Sequence, residues 1–145
     1  MELLFKGKDL QNKWIYGLPF ISKEGFLKNK SFIINSKSLY TKIESNNYSF
    51  GYFNEIEPKT LCQFTNIIDN DGHLIFENDL RIYENKIFRI YKMEGGFVIK
   101  KSLWLNEIHD LTESCKSICV SLSDYEIKNW LIKQSKHYSN FFDNN

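Results

Sequence analysis

The residues best suited to chemistry lie in one acidic stretch without lysine or arginine, which carries Asp69, Asp71, Glu77 and Asp79. Clustered carboxylates can bind a divalent cation or exchange protons as general acid and base. A calcium loop beginning at Asp69 would need glycine at its sixth position and glutamate at its twelfth, but Leu74 and Leu80 stand there. Aspartate also stabilises turns. The stretch therefore favours turns and a solvated face, and we predict neither a metal site nor a catalytic residue.

Cysteine and histidine side chains form the second set that could do chemistry. Cys115 and Cys119 are spaced to begin a zinc site, but no second matched pair follows. The others are spread along the chain: Cys62, His73, His109 and His137. The G-x-S-x-G, P-loop and G-x-G-x-x-G motifs are also absent. We therefore predict that the protein is not an enzyme and uses no cofactor.

Short strands are the elements that must position these residues. Between Leu80 and Leu105 apolar residues alternate with polar ones, and turn-forming residues interrupt them at 84–86 and at 94–96. Alternation with regular turns is typical of a meander or small barrel. The sequence predicts one domain, 1–145, of mainly β (α+β) class. Its β barrel-like region, 1–122, would be a small SH3-like barrel or a strongly bent antiparallel sheet.

The end of the chain, 123–142, has helical spacing and predicts a C-terminal α-helix from about Asp124 to Tyr138. Ser123 followed by Glu126 matches a capping box, which would start the helix. The helix would close an open edge of the barrel. The alternative is that its apolar stripe binds a partner or a second copy, and that stripe contains Trp130, Leu131, Tyr138, Phe141 and Phe142.

Charge and hydropathy limit the function classes. The 145 residues carry 19 basic and 18 acidic side chains, a net charge of +1, and 42% are hydrophobic. This balance argues against an acidic DNA mimic and gives no support to a strongly basic nucleic-acid-binding or membrane-surface protein. No apolar run is long enough for a transmembrane helix, and no signal peptide is visible. The odd, sparse cysteine set is typical of a reducing cytoplasm.

Two segments resemble the YopX family of phage and prophage proteins. The first runs from Phe5 to Gly17, and the second begins at Glu57 and reaches the turn at Gly95-Gly96. The motif residues are Trp14, Tyr16, Gly17, Gln63, Phe64, Thr65, Asp69, Gly72, Glu77, Asn78 and Asp79. The resemblance implies an SH3-like barrel in a phage or prophage accessory protein, located in the cytoplasm of the infected or lysogenic bacterial host.

Two departures from the family pattern are informative. Asn66 and Asn78 stand where the family has glycine. Asparagine is the residue other than glycine that best tolerates positive φ, so both positions are predicted to be left-handed turns. Asp69 to Gly72 can form a turn held by the aspartate side chain. The motif residues are therefore predicted mainly to fix the backbone conformation of turns.

The predicted function is that of a non-enzymatic binder that inhibits a host or defence-system protein, as an anti-CRISPR does. One alternative is a barrel that stacks single-stranded nucleic acid on its tyrosines, although a basic stripe is missing. The tyrosines on predicted strands are Tyr16, Tyr40, Tyr48, Tyr52, Tyr83 and Tyr91. A second alternative is a sponge for a nucleotide signal, which would need a concave pocket at an oligomer interface.

Overall fold

A computed structural model describes residues 3–23, 25–35, 53–93, 96–104 and 119–143. Within these ranges the chain is mainly β with one C-terminal helix, which confirms the predicted class. The strands are β1 (Phe5–Lys8), β2 (Trp14–Ile21), β3 (Ser31–Asn35), β4 (Phe53–Ile56), β5 (Cys62–Ile68), β6 (Leu74–Phe76), β7 (Asp79–Tyr83), β8 (Lys86–Met93), β9 (Gly96–Trp104), β10 (Cys119–Ser121) and β11 (Lys136–Asn140). The helix, α1, spans Tyr125–Lys133.

The chain divides into two compact units, 1–64 and 65–145. This boundary differs from the predicted division between a β region, 1–122, and a helical region, 123–142. Strand β5 crosses it, because its first residues pair with β1 and its later residues belong to the second unit. The two units are described separately below.

The first unit is an antiparallel sheet in the order β4-β3-β2-β1-β5. Two contacts return β4 to β1: an isolated bridge between Asp9 and Ile56, and a 2.9 Å hydrogen bond from the Glu57 N–H to the Lys8 carbonyl. Strands separated by two others in a sheet meet only if the sheet curls. Because the return contact is so small, the unit fits the bent-sheet alternative rather than a closed barrel.

Apolar residues from three of these strands, β3, β4 and β5, make the core of the first unit: Phe32, Ile33, Ile56, Cys62 and Phe64. Gly7 allows the Ile56 side chain to pack directly against β1, since a Cβ at this position would lie only 2.9 Å from the Ile56 Cδ1 atom. Gly17 plays a similar part between β2 and β3, where a Cβ would overlap the Ile34 carbonyl oxygen. Both glycines therefore serve close packing of strands.

The second unit contains a five-stranded antiparallel sheet in the order β10-β9-β8-β7-β11. Its main core cluster contains Ile67, Ile75, Ile90, Ile99, Leu122 and Leu131. The edge strand β11 pairs with β7, and its register shifts between His137 and Ser139, so Tyr138 forms a bulge. The predicted turn at 84–86 is confirmed as a tight connection between β7 and β8, where Glu84 and Asn85 have positive φ.

The predicted C-terminal helix is too long. Helix α1 ends at Lys133, and the residues predicted to continue it form β11 and a final turn. The capping box is also wrong, because Asp124 is the N-cap and its carboxylate accepts from the N–H groups of Glu126 and Ile127. The predicted start at about Asp124 lies one residue before the first helical residue, Tyr125.

Candidate functional site

Asp69 organises the turn between β5 and β6. Its Oδ1 atom accepts hydrogen bonds of 2.9 Å from the N–H groups of Asp71 and His73. The Gly72 N–H donates to the Asp69 carbonyl at 3.0 Å, and Gly72 has a φ of 85°. The predicted aspartate-held turn at 69–72 is confirmed. The Asp69 carboxylate therefore stabilises the backbone of this turn.

Arg81 completes this arrangement from inside the sheet. Its side chain is fully buried, and its Nη1 atom lies 3.0 Å from the Asp69 Oδ2 atom. Its Nε donates to the Ser135 hydroxyl at 3.1 Å, and its Nη2 donates to the Ser135 carbonyl at 3.0 Å. Burial alone would raise the pKa of Asp69, but backbone hydrogen bonds, the largest from the His73 N–H, together with the Arg81 guanidinium, hold it below the ordinary value. This carboxyl therefore stays ionised near neutral pH.

Polar residues around the turn add a partly exposed shell. His73 Nδ1 lies 3.4 Å from Asp69 Oδ2, and the rings of His73 and His137 stack with centroids 5.0 Å apart. Lys136 pairs with Asp71 at 3.2 Å. Ligand atoms of Asp69, Asp71 and His73 lie close enough together to surround a cation. However, the Asp69 Oδ1 atom already accepts two backbone N–H groups and its Oδ2 atom is ion-paired with Arg81, so the turn and its ion pairs account for the grouping.

The second half of the acidic stretch performs a similar structural task. Asp79 is fully buried, and it accepts from the Phe76 N–H at 2.8 Å and from the Asn140 amide at 2.9 Å. Asn78 has a φ of 67°, as predicted, and its side-chain oxygen accepts from Arg89 at 2.8 Å. Asn66 also has the predicted positive φ, 65°. Asp79 and Asn140 link β7 to the C-terminal strand β11, and Asn66 and Asn78 supply left-handed turn positions. These roles support the interpretation that the motif mainly fixes the backbone.

The remaining motif residues are dispersed. In the first unit Trp14 is half-buried beside the Lys6 ammonium, 4.4 Å from the ring centroid, and Tyr16 is 46% exposed. Gln63 pairs with Phe5 across β5 and β1, and Phe64 is buried. In the second unit the Thr65 hydroxyl donates to the Ile75 carbonyl at 2.7 Å, and the Glu77 carbonyl accepts from Asn140.

The five aromatic and apolar residues predicted to form a partner-binding stripe are also divided. Leu131 is fully buried in the core, and half-buried Trp130 packs edge-on against Phe88, with ring centroids 4.9 Å apart. Tyr138, at the β11 bulge, is 42% exposed. Half-buried Phe141 and Phe142 pack against each other in the final turn. A continuous helical stripe is therefore wrong, and Leu131 is unavailable to a partner in this fold.

The predicted tyrosine platform is only partly visible. Tyr83 packs edge-on against Trp130, with centroids 5.5 Å apart, and the Arg89 guanidinium lies 4.7 Å from the centre of the Tyr91 ring. Tyr40, Tyr48 and Tyr52 lie outside the described residues, as do His109 and Cys115. Cys62 is buried and its thiol donates to the Thr60 carbonyl at 3.2 Å. Among described residues, Tyr16 is the most exposed of the platform tyrosines, at 46%.

An open apolar groove in the first unit is the feature that the sequence analysis missed. Its volume is about 510 Å³, and it is lined by Pro19, Phe20, Ile21, Lys23, Ser31, Ile56, Pro58 and Leu61. Ile21 is 61% exposed, and the Phe20 ring is fixed by Phe32 and Phe53, at centroid distances of 5.2 and 5.3 Å. A preformed apolar concavity of this size is typical of binding sites. Among the described residues that line it, Lys23 is the one charged side chain.

The net charge of +1 conceals an asymmetry between the two stretches of sequence. Residues 1–64 carry nine lysines and six acidic residues, a net charge of +3. Residues 65–145 carry ten basic and twelve acidic residues, a net charge of −2. The groove therefore belongs to the basic unit, which favours acidic partners.

Comparison with known proteins gave no relative: no family model, no curated protein and no solved structure matches the chain. The described part of the chain contains no helix with the length and hydropathy needed to cross a bilayer.

Proposed function

We propose that this chain is a phage or prophage accessory protein that binds a host or defence-system protein and blocks it without catalysis, as anti-CRISPR inhibitors do. The observation that carries the proposal is the open apolar groove of the first unit. An apolar concavity next to a largely exposed isoleucine is suited to receive side chains of another protein.

The polar chemistry of the second unit supports a binding role over a catalytic one. The carboxylates most suggestive of catalysis, Asp69 and Asp79, are buried; Asp69 accepts two backbone N–H groups and Asp79 accepts one. Asp69 is further neutralised by Arg81 at 3.0 Å. A general acid or base must reach a substrate proton. Buried carboxylates that already accept backbone hydrogen bonds cannot do so, and they stabilise the fold instead.

The groove can supply a useful part of an inhibitor's affinity. Full burial of an isoleucine side chain contributes about 1.5–3 kcal/mol. Ile21 is 61% exposed, so covering it would contribute about 1–2 kcal/mol, and side chains inserted by the partner would add to this. Interfaces commonly depend on a few such contacts. The resulting complex would act by occlusion.

The test is capture of host proteins from a nuclease-treated lysate by the tagged chain, with two matched variants. Ile21 and Leu10 are 61% and 62% exposed, but only Ile21 lines the groove. We expect one stoichiometric host protein to be retained at high salt by the wild type and by Leu10→Asp, and lost with Ile21→Asp. Mass spectrometry identifies it, and the purified target's activity should fall when the chain is added.

Two results would contradict the proposal. Retention of the same host protein by both variants would show that it binds outside the groove. Recovery of nucleic acid alone, lost on salt or nuclease treatment, would favour the nucleic-acid alternative, since phosphate contacts weaken steeply with salt.

A further inference from the structure

We infer that the groove of the first unit takes an acidic, apolar peptide segment of the partner, with apolar side chains inserted into the groove and a carboxylate facing Lys23. This inference rests on the proposed function and specifies the chemistry of the partner. It combines three observations: the apolar lining, the position of one lysine in that lining, and the positive charge of the unit.

The lining determines that side chains, rather than backbone, make the main contacts. Six of the eight described lining residues are apolar, and two of these are the only prolines in the sequence, Pro19 and Pro58. Proline has no N–H, so neither residue can donate a backbone hydrogen bond to an added strand. Recognition by strand addition needs a row of such donors. Insertion of apolar side chains requires none.

The charges near the groove favour a carboxylate on the incoming segment. Lys23 is exposed and lies in the lining itself. Lys59 and Glu57, both exposed, flank the lining residue Pro58 and offset each other, so Lys23 is the charge that an incoming segment would meet. Lys30 is next to the lining residue Ser31 but is already paired with Glu55 at 3.7 Å. With the unit at +3, a segment that carries Asp or Glu gains attraction, whereas a basic segment is repelled.

The same features disfavour the other occupants. A nucleic acid strand would place its phosphates against a mostly apolar lining that offers one cation. A second copy that presented the same basic unit would meet like charge. An acidic, apolar segment satisfies both the lining and its single lysine.

The experiment selects a random peptide library displayed on phage against the purified full chain and sequences the enriched clones. We expect enrichment of peptides that combine Leu, Ile or Phe with Asp or Glu. Synthetic versions of these peptides should bind in fluorescence polarisation. Ile21→Asp should weaken binding about 30-fold, the equivalent of losing a 2 kcal/mol contact. Leu10→Asp, equally exposed outside the groove, should bind as the wild type does.

Reversal of the charge at Lys23 is the second part of the experiment. Lys23→Glu should weaken acidic peptides about 3-fold or more, because an exposed ion pair contributes up to about 1 kcal/mol and reversal adds repulsion. Lys13→Glu, at another exposed lysine of the same unit, is the control. Selection against Lys23→Glu should enrich Lys or Arg instead.

Several outcomes would overturn the inference. These are enrichment without acidic residues, equal binding by Lys23→Glu and Lys13→Glu, or no enrichment over an empty support. Self-association abolished by Ile21→Asp would identify a second copy as the occupant. If a host protein is still captured through the groove while peptides are not enriched, the proposed function stands and only the peptide chemistry fails.

Discussion

Replacement of Arg81 by methionine tests whether the buried ion pair holds the second unit together. The pairs Arg81–Asp69 and Lys136–Asp71 have similar lengths, 3.0 and 3.2 Å. Their exposures differ sharply, because the first pair is 0% and 1% exposed and the second is 58% and 50% exposed. Breaking a buried pair costs about 3–5 kcal/mol, since a charge is left without its partner. An exposed pair is worth about 0.2–1 kcal/mol.

Urea denaturation followed by circular dichroism measures the difference. With a denaturant slope of about 2 kcal/mol per molar, Arg81→Met should lower the midpoint of the transition by roughly 2 M and Lys136→Met by less than about 0.5 M. The double variant Asp69→Asn/Arg81→Met removes both buried charges. It should be less destabilised than the sum of its single variants by about 1–3 kcal/mol.

Equal midpoints for Arg81→Met and Lys136→Met would refute this reasoning. They would mean that the Arg81 guanidinium is as replaceable as an exposed ammonium. Strict additivity in the double variant would equally contradict a direct interaction between Asp69 and Arg81.

Three further predictions follow from the same unit. Because the pKa of Asp69 is lowered in the fold, its stabilisation is complete above the unfolded value of about 4 and is lost as pH falls through the folded value; acid titration should show a shallower loss of stability in Asp69→Asn than in the wild type. Asn66→Ala should cost about 1–2 kcal/mol at its φ of 65°, whereas Asn66→Gly should cost less, and equal costs in urea would contradict a backbone cause. Leu131→Ala should lose about 2–5 kcal/mol in thermal or urea unfolding, while Tyr125→Ala, 76% exposed on the same helix, should change stability by less than about 0.5 kcal/mol; comparable losses would place Leu131 outside the core.

Local backbone chemistry explains which features could be predicted from the sequence. The run Phe32-Ile33-Ile34 in strand β3 is one such feature, since β-branched and aromatic residues favour strands. The turns at Asp69 and at Asn78 depend on residues within four positions of each other, so short motifs were sufficient.

The end of the helix depends on a residue far away in the sequence. Arg81 binds the carbonyls of Leu131 and Ser135 at 3.4 and 3.0 Å, across 50 and 54 positions. This contact occupies the carbonyls where α1 stops, although the apolar spacing continues to Phe142. Strict alternation along β7 would also put Arg81 on a polar face, whereas its side chain is fully buried. The one indication of a buried role in the sequence is that arginine is rare. Of the 19 basic residues 17 are lysine, and only Arg81 and Arg89 carry a planar guanidinium, which suits buried ion pairs.

The groove could not be predicted because strand residues that line a concavity have the same composition as strand residues of a core. Phe20 and Ile56 come from different strands, and only the curl of the sheet sets them around a common space. Their exposure is a property of the three-dimensional structure and not of the residue types. Function and partner therefore had to be argued from the folded surface.

The bulge at Tyr138 has a consequence for how this protein behaves at high concentration. Strand β11 is the last strand in the order of its sheet, and such edges invite the same strand of another molecule to add. The displaced register at Tyr138 interrupts the regular ladder, and exposed Lys136 places a charge at the start of the strand. Together they discourage growth of the sheet from molecule to molecule. Association between copies of the chain through this edge is therefore disfavoured.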